Sequence, residues 1–314
     1  MCALRARRDF SREYCDGVRP FALEGRRWSA YPRTTRVDDY ERLRHVADKW
    51  LLYELCARLD IPTPRTVLAG EGGIDSEGIG FPCLVKPRLG KGTRGVRIVQ
   101  TAEDLARVLS DPPLFGASPD EDHPYIVQEL IEGSIANVGS FAVRGRPVSL
   151  MTQRRTFTRF EFGGTAIVNR TTHERVIMEY AERLLGELAW SGPALFEFIS
   201  APDGRYYLID GNPRVWASTD LTVASGLNVC EQAVDIFVRD VEPETIPEYT
   251  VGLTMRWLSP PAIGRCFRRP RRPSAVWRRL STLLSPRRPS TTITNLRRGN
   301  FRHLLGMAAD SGRT

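Results

Sequence analysis

An apolar run that ends on a lysine and opens into glycines limits this chain most: Phe81-Pro82-Cys83-Leu84-Val85-Lys86-Pro87, followed by Gly90-Lys91-Gly92-Thr93-Arg94-Gly95. A short apolar run bounded by turn formers reads as a buried strand. The glycines after it let backbone N–H groups come close to anionic oxygens. Of 45 basic residues only three are lysines, Lys49, Lys86 and Lys91. Where Arg serves almost everywhere else, these positions call for a compact ammonium rather than a planar guanidinium. A strand delivering Lys86 into such a turn suits a triphosphate. Coding bias can also leave few lysines, so the case rests on the residues around them.

With 314 residues and 41% hydrophobic content, the chain can build one large domain or two moderate ones. No apolar stretch approaches the roughly 20 residues that span a bilayer, and the first eight residues lack the apolar segment of a secretory signal. A soluble, cytoplasmic protein is the expectation. Six cysteines, at 2, 15, 56, 83, 230 and 266, form no CxxC pair and no cluster with the four histidines, which argues against zinc and against a disulfide framework. Asn169-Arg170-Thr171 matches a glycosylation sequon by chance. The net charge of +8 is unevenly spread: from Tyr249 onward fourteen Arg face one acid, Asp310, for +13, which leaves −5 on the first 248 residues. The basicity belongs to the tail, so a high pI is no argument that the whole protein binds nucleic acid.

From Asp39, Leu43, Val46, Ala47, Trp50, Leu51, Leu55 and Leu59 recur at helical spacing until Ile61-Pro62-Thr63-Pro64, which puts Lys49 on a helix. Strands are expected at 66–69, 81–86 and 96–99, then a capped helix from Thr101. Further strands are expected at 125–131, 140–143, 147–152 and 165–168, and His173 to Trp190 reads as an amphipathic helix. Residues 194–199 and 205–209 flank Ala201-Pro202-Asp203-Gly204 as a hairpin. Runs of strands between single helices favour an α+β fold.

That hairpin gathers hard oxygen ligands. Glu197 lies on its first strand, and Asp210 and Asn212 on and just beyond the second, on one side by alternation. Two carboxylates and a carboxamide suit Mg²⁺, which keeps waters and shares phosphate oxygens. Singly, each acid reads as a solvated strand end. Arg214, in Asp210-Gly211-Asn212-Pro213-Arg214, shifts the balance toward the metal.

Taken in order, Asp48-Lys49, Ile61-Pro62-Thr63-Pro64, the run ending at Lys86-Pro87, the glycine loop, Gln128-Glu129-Leu130-Ile131, Glu197 and the Asp210–Arg214 segment resemble the ATP-grasp superfamily. Within it the likeness is to carboxylate-amine ligases related to carbamoyl phosphate synthetase and D-aspartate ligase, and it covers roughly residues 40–240. The resemblance implies two α/β subdomains clamping ATP. Lys86 would neutralise the α and β phosphates, and Lys49 would approach them from the preceding helix. Gly90, Lys91, Gly92, Thr93 and Gly95 would fold over the triphosphate. Gln128, Glu129, Leu130 and Ile131 would border adenine through their backbone, with side chains that tolerate substitution. Glu197, Asp210 and Asn212 would hold Mg²⁺ or Mn²⁺, and Arg214 would stabilise the transferred phosphoryl group. The activity implied is C–N ligation through an acyl phosphate, between a small carboxylate and an amine or amino acid. From the residues themselves, Arg154 and Arg155 are candidates to grip the carboxylate bidentately.

The expected divisions are an N-terminal arm or domain remnant (1–38), a glycine-loop subdomain (39–124), a Mg²⁺-site subdomain (125–245) and a basic C-terminal extension (246–314). Three departures from the family pattern stand out. Ile135 replaces a ribose-binding Glu, Asp210 stands where Glu is commoner, and fewer than fifty residues precede the Lys49 helix where a full α/β domain is usual. The last leaves three alternatives: a second copy or another partner completes the site, the substrate is bound differently, or the chain begins within a longer ancestral frame. These departures keep a second reading alive, a degenerate nucleotide-binding protein without turnover. A third comes from the tail, whose Arg pairs and the amphipathic stretch 275–284 suit an anionic surface, although packing on the acidic core explains them better. No biotin-carrier signature is present.

Overall fold

A computed structural model of the chain describes residues 40–69, 78–90, 95–110, 124–160, 163–257 and 292–294. The arm at 1–38, Lys91, Gly92 and Thr93 of the loop, and the amphipathic stretch 275–284 lie outside them. The periodicity from Asp39 yields two helices rather than one, α1 (Tyr40–Ala47) and α2 (Lys49–Arg58). Asp48 separates them with an extended backbone (φ −84°, ψ 116°), and its carboxylate accepts from the Trp50 and Leu51 amides. Satisfying otherwise orphaned N–H groups in this way is what starts a new helix.

Two sheets follow. The smaller has the order β1-β4-β2-β3, from β1 (Thr66–Leu68), β2 (Cys83–Pro87), β3 (Arg97–Val99) and β4 (Tyr125–Glu129), all antiparallel. Helix α3 (Ala102–Ser110) turns Leu105, Val108 and Leu109 onto its outer face, against Val67, Cys83, Val85, Val99 and Val127. β4 pairs with β1 and β2, so the first sheet runs on past 124/125 to Glu129.

The larger sheet has the order β11-β10-β7-β6-β5-β8-β9. Its strands are β5 (Ser134–Val143), β6 (Arg146–Phe160), β7 (Gly163–Thr172), β8 (Gly192–Ser200), β9 (Tyr206–Asn212), β10 (Thr254–Arg256) and β11 (Thr292–Thr294). Helix α4 (Arg175–Glu187) lies between β7 and β8 in the chain, and α5 (Thr219–Ala224) and α6 (Val229–Val238) follow β9. One face, carrying Ala136, Val138, Leu150, Phe196, Phe198 and Leu208, packs on Leu43, Val46, Leu52 and Leu55 of α1 and α2 and on Ile177, Leu184 and Leu185 of α4. The helices come close at Gly211, where a Cβ would stand 2.5 Å from the Val46 carbonyl oxygen, so only glycine fits. At one end of the opposite face, Phe141 and Val148 are covered by Ile236 of α6, and Trp216 lies flat on Gly139. The other end is polar and carries the site. No helix among the described residues is long and apolar enough to cross a membrane.

Candidate functional site

The polar end follows from strand register. Asn137 on β5 lies opposite Gln153 on β6 and Glu197 on β8, and Glu197 lies opposite Asp210 on β9. Paired residues of an antiparallel ladder share a face, so one row runs Gln153, Asn137, Glu197, Asp210 across four strands. A bulge between Glu197 and Phe198 gives β9 an extra residue at Ile209. Asn212, two beyond Asp210, returns to the same face.

Cations from separate elements reach this row. Lys49, first residue of α2, places Nζ 3.3 Å from Asp210 Oδ1, with both side chains largely buried. Arg155 of β6 donates to Glu197 Oε1. With the Asn137 amide oriented so that both of its atoms find partners, its oxygen also accepts from Arg155 Nε at 3.2 Å. Arg214 donates to Asn212 Oδ1 at 2.9 Å and to the Val215 carbonyl at 3.2 Å. Next along the face, Asn169 Nδ2 donates to Gln153 Oε1 at 2.7 Å, while Gln153 Nε2 and Asn169 Oδ1 have no partner. Asn169 is only 1% exposed, which rules out the sequon as a glycan acceptor on the folded protein.

The small sheet supplies Lys86, second-last residue of β2 and 7% exposed. Burial pushes its pKa down from 10.5 to about 8; nearby Lys49 also lowers it, while Asp210 and Glu197 oppose the shift. Lys86 therefore lies within electrostatic reach of Asp210 and Glu197 across the gap between the sheets. Just after β2, Arg88 donates from Nε to Asp48 Oδ1 at 3.1 Å and from its terminal nitrogen to Oδ2 at 2.7 Å. Its carbonyl accepts the Lys49 amide at 3.1 Å. The chain entering the glycine loop is thus fastened to the start of α2 by a pair that sequence reasoning missed; its only signal was an acid directly before Lys49 and a base two residues after Lys86. Gly90 is exposed, and Gly95 has φ +77°.

At the strand end marked by Gln128 to Ile131, the first two side chains are hydrogen-bonded. Gln128 is 5% exposed and hydrogen-bonded to Lys86, so its substitution has structural consequences. Glu129 turns outward to Arg65, which donates to both of its oxygens at 3.0 and 3.1 Å and holds its pKa below the usual range. Leu130 and Ile131 follow as half-buried, irregular chain. Lys49, Tyr53, Thr63, Gln128 and Ile209 line a narrow cleft here.

Arg154 is not brought to this site. Neighbouring strand residues face opposite ways, so while Arg155 meets Glu197, Arg154 points to the α4 side. There it pairs with Glu174 and donates to Tyr206 Oη at 2.8 Å and Ser134 Oγ at 3.1 Å. Burial alone would raise the Glu174 pKa, but the hydrogen bonds from Arg154 and Tyr206 overcome it and leave the carboxyl below its ordinary value. Among the described residues no group of three His, Cys, Asp or Glu could hold a metal ion. The donor set present is the two carboxylates and the carboxamide oxygen, whose chemistry fits Mg²⁺, each now facing a basic side chain. Cys56 and Cys83 are buried, and burial raises the Cys56 thiol to about 12, which leaves it inert.

Residues 46–218 match the ATP-grasp domain family. The carbamoyl phosphate synthase large chain, C-terminal section, of Methanopyrus kandleri is 26% identical over 196 residues, 57% of this chain. That span is 34% of the relative, so this chain matches about a third of its length. Among solved structures, a biotin carboxylase–βγ-ATP complex from Campylobacter jejuni superposes with TM-score 0.58 at 14% identity, covering 74% of this chain and 56% of that one. An L-amino acid ligase from Bacillus licheniformis gives TM-score 0.54 at 16% identity, over 79% and 62%.

Proposed function

The chain belongs to the ATP-grasp domain family, and from that premise we propose that it is an ATP- and Mg²⁺-dependent ligase joining a carboxylate to an amine. One observation carries this reading. Lys49, Lys86 and Arg155, from three elements far apart in sequence, converge on Glu197 and Asp210, which face each other across one strand pair. A concentration of cations over two carboxylates is what a nucleotide triphosphate with its metal needs, and phosphoryl transfer asks a protein mainly for positioning and charge neutralisation.

In the reaction proposed, a carboxylate oxygen attacks the γ-phosphorus, the bond to the β,γ-bridging oxygen breaks, and ADP leaves. The amine then displaces phosphate from the acyl phosphate and loses a proton. Lys86 and Lys49 neutralise phosphate charge, Arg214 lies beside the transferred group, and Arg155 orients the carboxylate. Glu197, Asp210 and Asn212 are the residues that would hold Mg²⁺, which when bound offsets charge on the phosphate oxygens. No nucleophilic side chain is required. Arg154 takes no part, because Glu174 and Tyr206 occupy it on the far face.

The experiment is ADP release from the purified chain with Mg-ATP, screened against pooled carboxylates and amino acids, with Lys86→Ala as control. Release that depends on a pool and is lost in the control is expected. Release indifferent to every pool, or equal in the control, contradicts the reading. The fold is shared with a carboxylase and with an amino acid ligase alike, so the acid is for this screen to identify.

A further inference from the structure

Gln128 enters the reading above only through its backbone, yet its side chain forms the middle of a buried chain of hydrogen bonds. Lys86 Nζ donates to Gln128 Oε1 at 2.6 Å, Gln128 Nε2 donates to Thr66 Oγ1 at 2.9 Å, and Thr66 Oγ1 donates to the Pro64 carbonyl at 2.8 Å. Lys86, Gln128 and Thr66 are 7%, 5% and 2% exposed. The direction of every bond is settled, because an ammonium can only donate and the Thr66 proton is already committed to Pro64.

We propose that Gln128 is a positioning residue for Lys86, fixing the ammonium by an uncharged acceptor and tying it through Thr66 to the chain entering β1. The proposal rests on the nucleotide reading for its purpose and on geometry for its substance. Lysine has a long, flexible stem, and in a buried site an ammonium without an acceptor costs more than one that is hydrogen-bonded. A carboxylate at position 128 would hold Nζ but cancel its charge. An apolar side chain would leave it unheld. A carboxamide holds it, leaves the positive charge intact, and keeps the remaining two N–H groups for an anion. The charged groups that face Lys86 are Asp210 on β9, Glu197 on β8 and Lys49 on α2. Both carboxylates already have basic partners, Lys49 for Asp210 and Arg155 for Glu197, so Gln128 is the direct contact that fixes the ammonium. The same strand end that would border the purine therefore also sets the phosphate lysine.

Three lysines in the whole chain make the test simple. Labelling the full-length protein with [¹³Cε]lysine gives three ε-carbon signals, assigned with Lys49→Arg and Lys91→Arg and titrated without nucleotide. In Gln128→Leu the Lys86 midpoint should fall further, by about one pH unit, the worth of a charge-assisted hydrogen bond. In Gln128→Glu it should rise above the unsubstituted value. Thr66→Val, which breaks the chain one step back, should give a smaller downward shift and serves if Gln128→Leu fails to fold. Unchanged Lys86 midpoints in folded Gln128→Glu and Thr66→Val overturn the proposal. Mg-ATP affinity is then measured on the same samples. Midpoints that shift as expected in a protein that binds no nucleotide would remove the functional reading and leave the positioning role standing.

Discussion

On the small sheet Lys86 is held by a neutral carboxamide, whereas at the large sheet Lys49 and Arg155 each rest against a carboxylate. The first arrangement keeps a cation uncompensated at a cost, visible in a pKa driven down to about 8. The second compensates its cations, so an anion or metal arriving there must exchange partners with them. Under the proposed function, a clamp built this way would offer one fixed charge to phosphate, and its second set would exchange partners when ligands bind.

The largest expected effect tests the rearranging side. Glu197→Gln keeps the shape of the side chain and removes its charge, and should lower Mg²⁺-dependent ADP formation about 10³-fold, the several kcal/mol a metal at developing charge supplies. Circular dichroism and melting should be unchanged. Asn212→Ala should act in the same direction, and normal rates in both variants would refute the metal assignment. On the fixed side, Lys86→Ala should weaken Mg-ATP binding by about 10²-fold, in line with the loss of charge-assisted hydrogen bonds, as read by calorimetry.

The third prediction uses pH. Below pH 8 Lys86 is charged in both folded and unfolded chains, and the burial penalty is present in full. Between about 8 and 10.5 the folded protein holds fewer protons than the unfolded one, so this group makes stability rise with pH across that window. Nucleotide binding should run the other way, because phosphate selects the ammonium. Affinity for Mg-ATP should fall by up to tenfold per unit above about pH 8, and Lys86→Arg should flatten the profile. A flat profile in the unsubstituted protein would contradict the depressed pKa.

The smallest effect separates two adjacent arginines. Arg154→Ala leaves Glu174 half-buried without its cation and should cost about 1–3 kcal/mol of stability, while ADP formation by folded protein stays within about twofold. Arg155→Ala should do the reverse, with carboxylate-dependent turnover reduced and stability less affected. Equal kinetic effects would return Arg154 to the site.

The sequence was most readable where chemistry and periodicity coincide. The strand bearing Lys86 shows as an apolar run, and the hairpin bearing Glu197 and Asp210 shows as two strands about a glycine turn. Strands β5 to β7 were visible only in part, because Asn137, Gln153 and Asn169 interrupt the apolar pattern; those interruptions are the polar site face itself. The helix break at Asp48 was hidden by apolar spacing that continues across it. Alternation alone separates Arg154 from Arg155, since consecutive strand residues cannot share a face. The side-chain bonds of Gln128 and Arg88 were beyond reach, because their partners Thr66 and Asp48 lie 62 and 40 positions away and only folding joins them.

The ligase reading turns on whether a carboxylate is phosphorylated. Once the screen supplies an acid, that acid is labelled with ¹⁸O in its carboxylate and incubated with enzyme, Mg-ATP and amine, and the released phosphate is weighed by mass spectrometry. Transfer of one ¹⁸O to phosphate for each amide formed is the expected result. Amide formed with unlabelled phosphate, or ADP formed with no amide, would contradict it.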